Sequence, residues 1–189
     1  YSSVERLEIN DTQLIKFRNN GNKILIMGDL NQPELMSGLI KLSNMKYFSV
    51  YQKRYIFVFK GNYSFATKEN VKKIFTNCEF LDTWIENNYY LNFLDSYKIL
   101  LFLDRVDFGL SNRVLDALKA KSLIVGFNEA FTGYQLKNFK EVIFMKNFFD
   151  LVYAYNLDTN YENSIIEKAN NKAKKFGKDL VIAKWQSII

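Results

Sequence analysis

A short turn near residue 110 gathers the side chains of this sequence that are best suited to bind an anion. Gly109, Ser111, Asn112 and Arg113 open a helical pattern, and Asp116 follows one turn inside it. Ser and Asn favour the N-cap, and the first amides of such a helix, with its dipole, attract phosphate. Arg113 offers a planar pair of donors to phosphate oxygens, whereas the carboxylate of Asp116 accepts hydrogen bonds from hydroxyl groups. The cluster indicates a nucleoside diphosphate site, although a capping Ser111, a solvated Arg113 and an Asp116 paired with lysine would explain it structurally.

The composition excludes several kinds of chemistry. The 189 residues include no histidine, which rules out Ser-His-Asp and Cys-His catalysis and an ordinary zinc site within this sequence. Neither a Gly-x-Gly-x-x-Gly nor a Walker A sequence occurs. The one cysteine, Cys78, allows no internal disulfide and indicates a reducing, cytoplasmic compartment. The net charge of +6 suits contact with phosphates of nucleotides, nucleic acid or anionic lipid, or a solvated lysine-rich surface.

Apolar runs that alternate with helical patterns predict an α/β fold. We expect a Rossmann-like parallel sheet of about six strands with helices on both faces. The predicted strands are Lys23–Leu30, Tyr55–Gly61, Cys78–Thr83, Lys98–Asp104, Ser122–Phe127 and Glu141–Lys146. The predicted helices before the turn are Pro33–Met45, Thr67–Asn77 with Thr67 as its cap, and Tyr89–Tyr97. Ligands of such sheets bind at the carboxyl ends of the strands, where the polar and glycine residues of this sequence gather.

The stretch GLSNRVLDALKAKSLIVGFNEAFTG, preceded by CEFLDTW and ILLFLD, resembles a known family. It is similar to the C-terminal half of the retaining, group 1 GT-B glycosyltransferases, and the resemblance covers residues 23–146. The resemblance implies a domain that binds the nucleotide and diphosphate of a nucleotide-sugar donor. It implies diphosphate contacts from Gly28, Gly109, Leu110, Ser111, Asn112 and Arg113, ribose contacts from Asp116, and a base-bordering loop of Leu81, Asp82 and Thr83.

The sequence departs from the pattern of that family at five places, one of which is Asp116, where the family has a glutamate. Asp29 follows Gly28 where a basic residue is usual, and Ser37-Gly38 replaces a Lys-Gly pair. The earlier glutamate of the family falls at Phe108, beside Asp107, which is the candidate for a catalytic carboxylate. Lys121 stands where the family has a glycine after the helix.

The resemblance also implies the reaction and its partners. We expect a hexosyl transfer to a hydroxyl acceptor on a glycan or glycolipid, with retained configuration, no metal and no cofactor. We expect a linker at residues 1–22, a nucleotide-sugar-binding domain at 23–160, and helices at 161–189 that pack on it or cross to a separate N-terminal domain. Because the sequence begins with Tyr1, we expect a fragment that is inactive alone. The full-length enzyme is expected to be cytoplasmic, with weak, salt-reversible binding to anionic membrane.

Two other functions remain open. A degenerate domain of the same fold would serve as a partner-binding or regulatory module, consistent with the missing basic phosphate residues. A nucleic-acid binder is suggested by the aromatic and basic stretch YFSVYQKRYIFVFKGNYSF. The part YIFVF, however, is more typical of a buried strand, so we expect no nucleic-acid partner.

Overall fold

The computed structural model of the protein describes residues 22–106 and 110–176. Six strands form one parallel sheet with the order β3-β2-β1-β4-β5-β6. The strands are β1 (Lys23–Met27), β2 (Ile56–Lys60), β3 (Cys78–Leu81), β4 (Ile99–Phe102), β5 (Leu123–Gly126) and β6 (Ile143–Phe144). The predicted Rossmann-like sheet is therefore confirmed, although β6 is only two residues long.

Seven α-helices connect and follow these strands in the described part of the chain. They are α1 (Pro33–Ser43), α2 (Phe48–Tyr51), α3 (Phe65–Ile74), α4 (Asn87–Asp95), α5 (Asn112–Lys119), α6 (Phe148–Tyr155) and α7 (Thr159–Ala173). Three short 3-10 turns lie at Gln52–Arg54, Asn128–Phe131 and Lys174–Phe176. The helices predicted at residues 161–189 thus begin inside α7, and residues 177–189 lie outside the described part of the chain.

The two faces of the sheet are both covered, because the central strands alternate between two hydrophobic cores. Ile24 and Ile26 of β1 face a first core with α1, α2, α3 and α6, while Leu25 and Met27 face a second core with α4 and α5. Helix α7 contributes Ile165 to the first core and Ala169 and Ala173 to the second.

Strand β2 contains part of the aromatic and basic stretch that suggested a nucleic-acid binder. Phe57, Val58 and Phe59 are all fully buried, with 0% exposure. These rings therefore pack in the two cores, and they offer no stacking platform to the bases of a nucleic acid.

The start of α3 differs from the prediction. The helix begins at Phe65, and the Ser64 side chain, not that of Thr67, accepts the capping hydrogen bond, from the Thr67 amide at 3.1 Å. Asn31, in the loop after β1, holds this cap in place: its Oδ1 accepts from the Ser64 amide at 2.9 Å and from the Thr67 hydroxyl at 3.0 Å. The prediction was wrong because a contact distant in sequence selects the cap.

The end of α5 shows how the chain leaves a helix without the glycine of the resembling family. Ala120 continues in an extended conformation, and the Asn170 side chain of α7 donates to the carbonyls of Leu118 and Ala120 at 2.9 and 3.0 Å. Asp95 accepts a hydrogen bond from the Lys121 amide at 2.6 Å. Side chains thus complete an exit that a glycine would otherwise make through its backbone.

Within residues 22–106 and 110–176, no helix is both long and apolar enough to cross a lipid bilayer.

Candidate nucleotide site

The order of strands reverses between β1 and β4. The chain builds β1, β2 and β3 in one direction and then returns to place β4 on the other side of β1. Loops that leave the carboxyl ends of β1 and β4 therefore separate and open a crevice, which is the usual ligand site of such sheets.

Gly28 directly follows the last residue of β1 at this crevice. Its φ of +151° is a conformation that side-chain-bearing residues rarely adopt, and its amide donates to the Lys60 carbonyl at 3.0 Å. A Cβ at this position would collide with the Arg113 guanidinium and with the Leu35 side chain. The missing side chain therefore lets Arg113 lie directly against the end of β1.

Arg113 reaches the crevice from the first turn of α5. Its Nη1 donates to the Met27 carbonyl at the end of β1, and its Nη2 donates to the Asp104 carboxylate that follows β4. The guanidinium thus bridges the two strands that flank the reversal. The sequence predicted an arginine directed at phosphate, but it gave no indication of these two partners.

Helix α1 helps to fix the position of Asp104. Gly38 of α1 packs so closely on the chain after β4 that a Cβ there would collide with the Leu103 carbonyl. Leu103 itself is 2% exposed and belongs to the first core. Because Asp104 follows Leu103 directly, the approach of α1 holds this carboxylate, which is 8% exposed, at the wall of the crevice.

The crevice contains a cavity of about 530 Å³. Its described lining consists of Gly28, Asp29, Gln32, Glu34, Leu35, Asp104, Arg105 and Arg113. Three carboxylates and two guanidinium groups therefore surround it. A diphosphate placed here meets Arg113, but it also meets a lining with one more acidic than basic side chain.

The amino end of α5 lies beside Arg113. Ser111 is the N-cap, as predicted, but its side chain makes no capping hydrogen bond, and its carbonyl accepts from the Val114 amide at 3.0 Å. The Tyr134 hydroxyl donates to the Ser111 carbonyl at 2.6 Å and fixes this cap from the loop after β5. Leu110 and Asn112 are exposed here.

Asp116 lies one turn further along α5. Its Oδ1 is 3.5 Å from the Lys119 ammonium, on a partly exposed surface. Burial raises the pKa of both the Tyr90 and the Tyr134 hydroxyls, and the negative charge of Asp116 raises them further. The carboxylate therefore sits near two tyrosine rings, beside but outside the lining of the cavity.

The loop predicted to border the base follows β3. Leu81 and Thr83 are partly exposed and Asp82 is exposed. Burial lowers the pKa of Lys60 at the end of β2, and the nearby Asp82 charge opposes that shift. This loop is separated from β1 by β2, so it is not part of the cavity lining.

The structure thus brings Gly28 and Arg113 together, with Leu110 and Ser111 just before α5 and Asn112 and Asp116 on the same helix as Arg113. Asp107 and Gly109, which the sequence also singled out, lie outside the described residues, as does Phe108. Sequence reasoning did not assign a role to Tyr90, Tyr134, Gln32 or Glu34, because only the packing of α4, of the loop after β5 and of the start of α1 makes them neighbours of α5. In the part of the chain that the structure describes, no group of three His, Cys, Asp or Glu side chains is arranged to hold a metal ion.

Known structures share this arrangement of strands and helices. A glycosyltransferase from Rickettsia africae superposes with a TM-score of 0.73 at 14% identity, covering 97% of this chain and 52% of that protein. The C-terminal domain of a group 1 family glycosyl transferase, LpcC, from Francisella tularensis gives a TM-score of 0.60 at 9% identity, covering 90% of this chain and 95% of that domain. The fold is that of a GT-B glycosyltransferase C-terminal domain.

A third protein of similar fold was crystallised with ligands. HepE from Anabaena, in complex with UDP and glucose, gives a TM-score of 0.68 at 11% identity, covering 96% of this chain and 54% of that protein. The chain described here thus spans about half the length of the Rickettsia and Anabaena proteins. No family model matches the sequence, and no curated protein matches it.

Proposed function

We propose that this chain is the donor-binding domain of a glycosyltransferase that moves a sugar from a nucleotide-sugar to a hydroxyl acceptor. The observation that carries the proposal is the cavity at the reversal of strand order, bounded by Gly28 and by Arg113. This is where open parallel sheets bind their ligands, and it occurs here in a GT-B fold. The UDP and glucose complex of the Anabaena protein supports the class of donor.

Each group of the site has a proposed role. The diphosphate would contact the amides at the start of α5 and the Arg113 guanidinium, while Asp116 would accept hydrogen bonds from ribose hydroxyls. Leu81, Asp82 and Thr83 would border the base. Fixed backbone dipoles and a guanidinium can stabilise the charge of a leaving diphosphate, so the proposed reaction uses neither a metal nor a cofactor.

The complete reaction is proposed to need a second domain. The Rickettsia protein is about twice as long as the matched region, which leaves room there for a separate domain. Such a domain would supply the acceptor site, and transfer would retain the anomeric configuration. The domain described here would then bind nucleoside diphosphate weakly and transfer no sugar alone.

One observation favours the alternative of a partner-binding domain. Arg113 already has a carboxylate partner, and acidic side chains outnumber basic ones around the cavity. A domain that had lost donor binding would tolerate such a lining. The two functions differ in one measurable property, because a partner-binding domain need not bind any nucleotide.

Titration calorimetry of this chain with UDP, GDP and ADP tests the proposal. We expect weak binding of at least one of them, and Asp116→Ala should weaken it by about 1.5–3 kcal/mol because ribose hydrogen bonds to a charged acceptor are lost. Arg113→Ala should cost a similar amount, and its effect should decrease as salt screens the contact with phosphate.

Two surface variants serve as matched controls. Glu167→Ala removes an exposed carboxylate from α7, and Lys73→Ala removes an exposed cation from α3. Both should bind as the parent does, with thermal unfolding recorded for all four variants. If Asp116→Ala and Arg113→Ala also bind as the parent does, the nucleotide site does not lie at α5; if the parent binds none of the three nucleotides, the partner-binding function is favoured.

A further inference from the structure

We infer that Asp104 competes with the diphosphate of the ligand for Arg113, and so limits how strongly this site responds to phosphate charge. The inference rests on the proposed nucleotide site. It assigns to Asp104 a role in specificity that the resemblance to glycosyltransferases does not imply.

Arg113 already donates hydrogen bonds to two acceptors. A guanidinium has five N–H donors, and both of its terminal nitrogens are already bonded here, Nη1 to the Met27 carbonyl and Nη2 to the Asp104 carboxylate. The bidentate grip that arginine usually gives phosphate uses two such donors side by side. A phosphate that binds Arg113 must therefore share the guanidinium with a carboxylate that already accepts from one of its terminal nitrogens.

The Asp104 carboxylate lies where it would repel a phosphate bound to Arg113. Asp104 is 8% exposed and lines the same cavity as Arg113, so a phosphate at Nη2 would lie beside its negative charge. Like charges repel more strongly where water is partly excluded. The close packing of Gly38 on Leu103 leaves the chain around Asp104 little freedom to withdraw.

The other charged side chains of the described lining do not offset the negative charge of Asp104. Asp29 and Glu34 add two carboxylates from the loop after β1 and the first turn of α1, against the guanidinium of Arg105. Asp29 Oδ1 accepts the Asn31 amide at 2.9 Å, which holds that carboxylate at the mouth of the cavity. Neutralising Asp104 therefore changes the charge balance of the described lining from net acidic to neutral.

A neutral ligand should not sense this competition. Uridine carries the base and ribose of UDP without its phosphates, so its affinity depends on contacts away from Arg113. The ratio of the dissociation constants of uridine and UDP thus measures how much the phosphates contribute. In the parent this ratio should be small, because Asp104 offsets the contribution of Arg113.

Calorimetry with uridine and UDP on the parent and on Asp104→Asn is the test. The asparagine keeps the shape of the side chain and an oxygen acceptor for Arg113 but removes the charge. We expect UDP to bind about fivefold more tightly to Asp104→Asn, uridine to bind equally to both, and the UDP affinity of the variant to fall more steeply with salt. Glu167→Gln, which removes the same charge from an exposed position of α7, should leave both affinities unchanged.

The possible outcomes separate this inference from the proposed function. UDP binding that tightens, or that becomes measurable only in Asp104→Asn, supports the competition. Unchanged or weaker UDP binding by the folded variant overturns it, because Asp104 would then orient Arg113 instead of competing for it. If neither uridine nor UDP binds either protein, the same comparison is made with guanosine and GDP and with adenosine and ADP; if none of these binds, the nucleotide site itself is wrong and the inference falls with it. Asp104→Ser, a second neutral side chain, replaces the asparagine variant should that variant not fold.

Discussion

Buried tyrosine hydroxyls make the stability of this protein sensitive to alkali. Burial raises the pKa of Tyr97, which is 2% exposed in the second core, and the charge of Glu79 raises it further. A hydroxyl whose pKa is higher in the folded than in the unfolded chain favours folding fully below the unfolded value of about 10. That contribution is lost as the pH rises from there towards the folded pKa.

We therefore expect the free energy of unfolding to be flat with respect to these hydroxyls up to about pH 9 and to fall above about pH 10. Tyr97→Phe should show a smaller fall, because its ring has no proton to lose, whereas the exposed Tyr161→Phe should follow the parent. Urea unfolding at a series of alkaline pH values measures the difference. Parallel curves for Tyr97→Phe and the parent would contradict the assigned role of this hydroxyl.

At the scale of elements, the packing of α7 on α5 positions the helix that carries Arg113 and Asp116. Asn170 is the polar centre of that contact, since its amide donates to two carbonyls at the end of α5. Lys98 and Glu162 add an ion pair of 3.1 Å between β4 and α7. A helix whose C-terminal carbonyls are satisfied by a neighbouring helix depends on that neighbour for its orientation.

Asn170→Ala should lower the free energy of unfolding by about 1–3 kcal/mol, because it leaves two carbonyls without their donor. Asn171→Ala is the matched control, since that side chain is exposed and accepts from the nearby Lys174 at 3.0 Å, and it should change stability by less than about 0.5 kcal/mol. Urea unfolding of both variants checks the prediction. Equal effects of the two substitutions would mean that the end of α5 does not need Asn170.

The sequence predicted the elements better than their contacts. Runs such as ILIM in β1 and ILLF in β4 are buried on both faces, and this burial is what their continuous apolar character indicates. Arg113 was predicted at the start of a helix for similarly local reasons. Its partner Asp104 was not, because the pair exists only once β4 lies beside β1. Tyr134 became a neighbour of Ser111 in the same way, through the packing of a loop distant in sequence.

At the scale of the whole molecule, one described surface combines aromatic rings with positive charge. Helices α2 and α6 place the rings of Tyr47, Tyr51 and Phe149 within 6.2–6.4 Å of one another. Lys46 lies over the Tyr47 ring at 4.8 Å, and Arg54 lies over the Tyr51 ring at 4.9 Å. Most of this α2–α6 surface is built from residues just before β2, away from the cavity. Its combination of aromatic and basic side chains is typical of proteins that contact lipid headgroups.

We expect weak binding of the protein to vesicles that contain an anionic phospholipid, reversed by salt, and less binding to neutral vesicles. Replacing both Lys46 and Arg54 by glutamate should abolish it, whereas the same change at Lys72 and Lys73 of α3 alters the net charge equally and should reduce it less. Vesicle sedimentation measures both. Equal binding to neutral and anionic vesicles would refute an electrostatic contact, and loss of binding in both double variants would mean that net charge, not this surface, is responsible.

The reversal of strand order also constrains the way in which the chain folds. Ile24 of β1 pairs with Phe57 on one side and with Ile99 on the other, so the central strand obtains its second neighbour only from residues far along the chain. Closing such long loops between parallel strands costs conformational entropy before any pairing repays it, which makes folding slow. During synthesis on the ribosome, the apolar edge of β1 must wait for β4 to emerge. Until then, the edge of β1 that will pair with β4 is an exposed strand edge, the kind of surface through which unfinished chains aggregate.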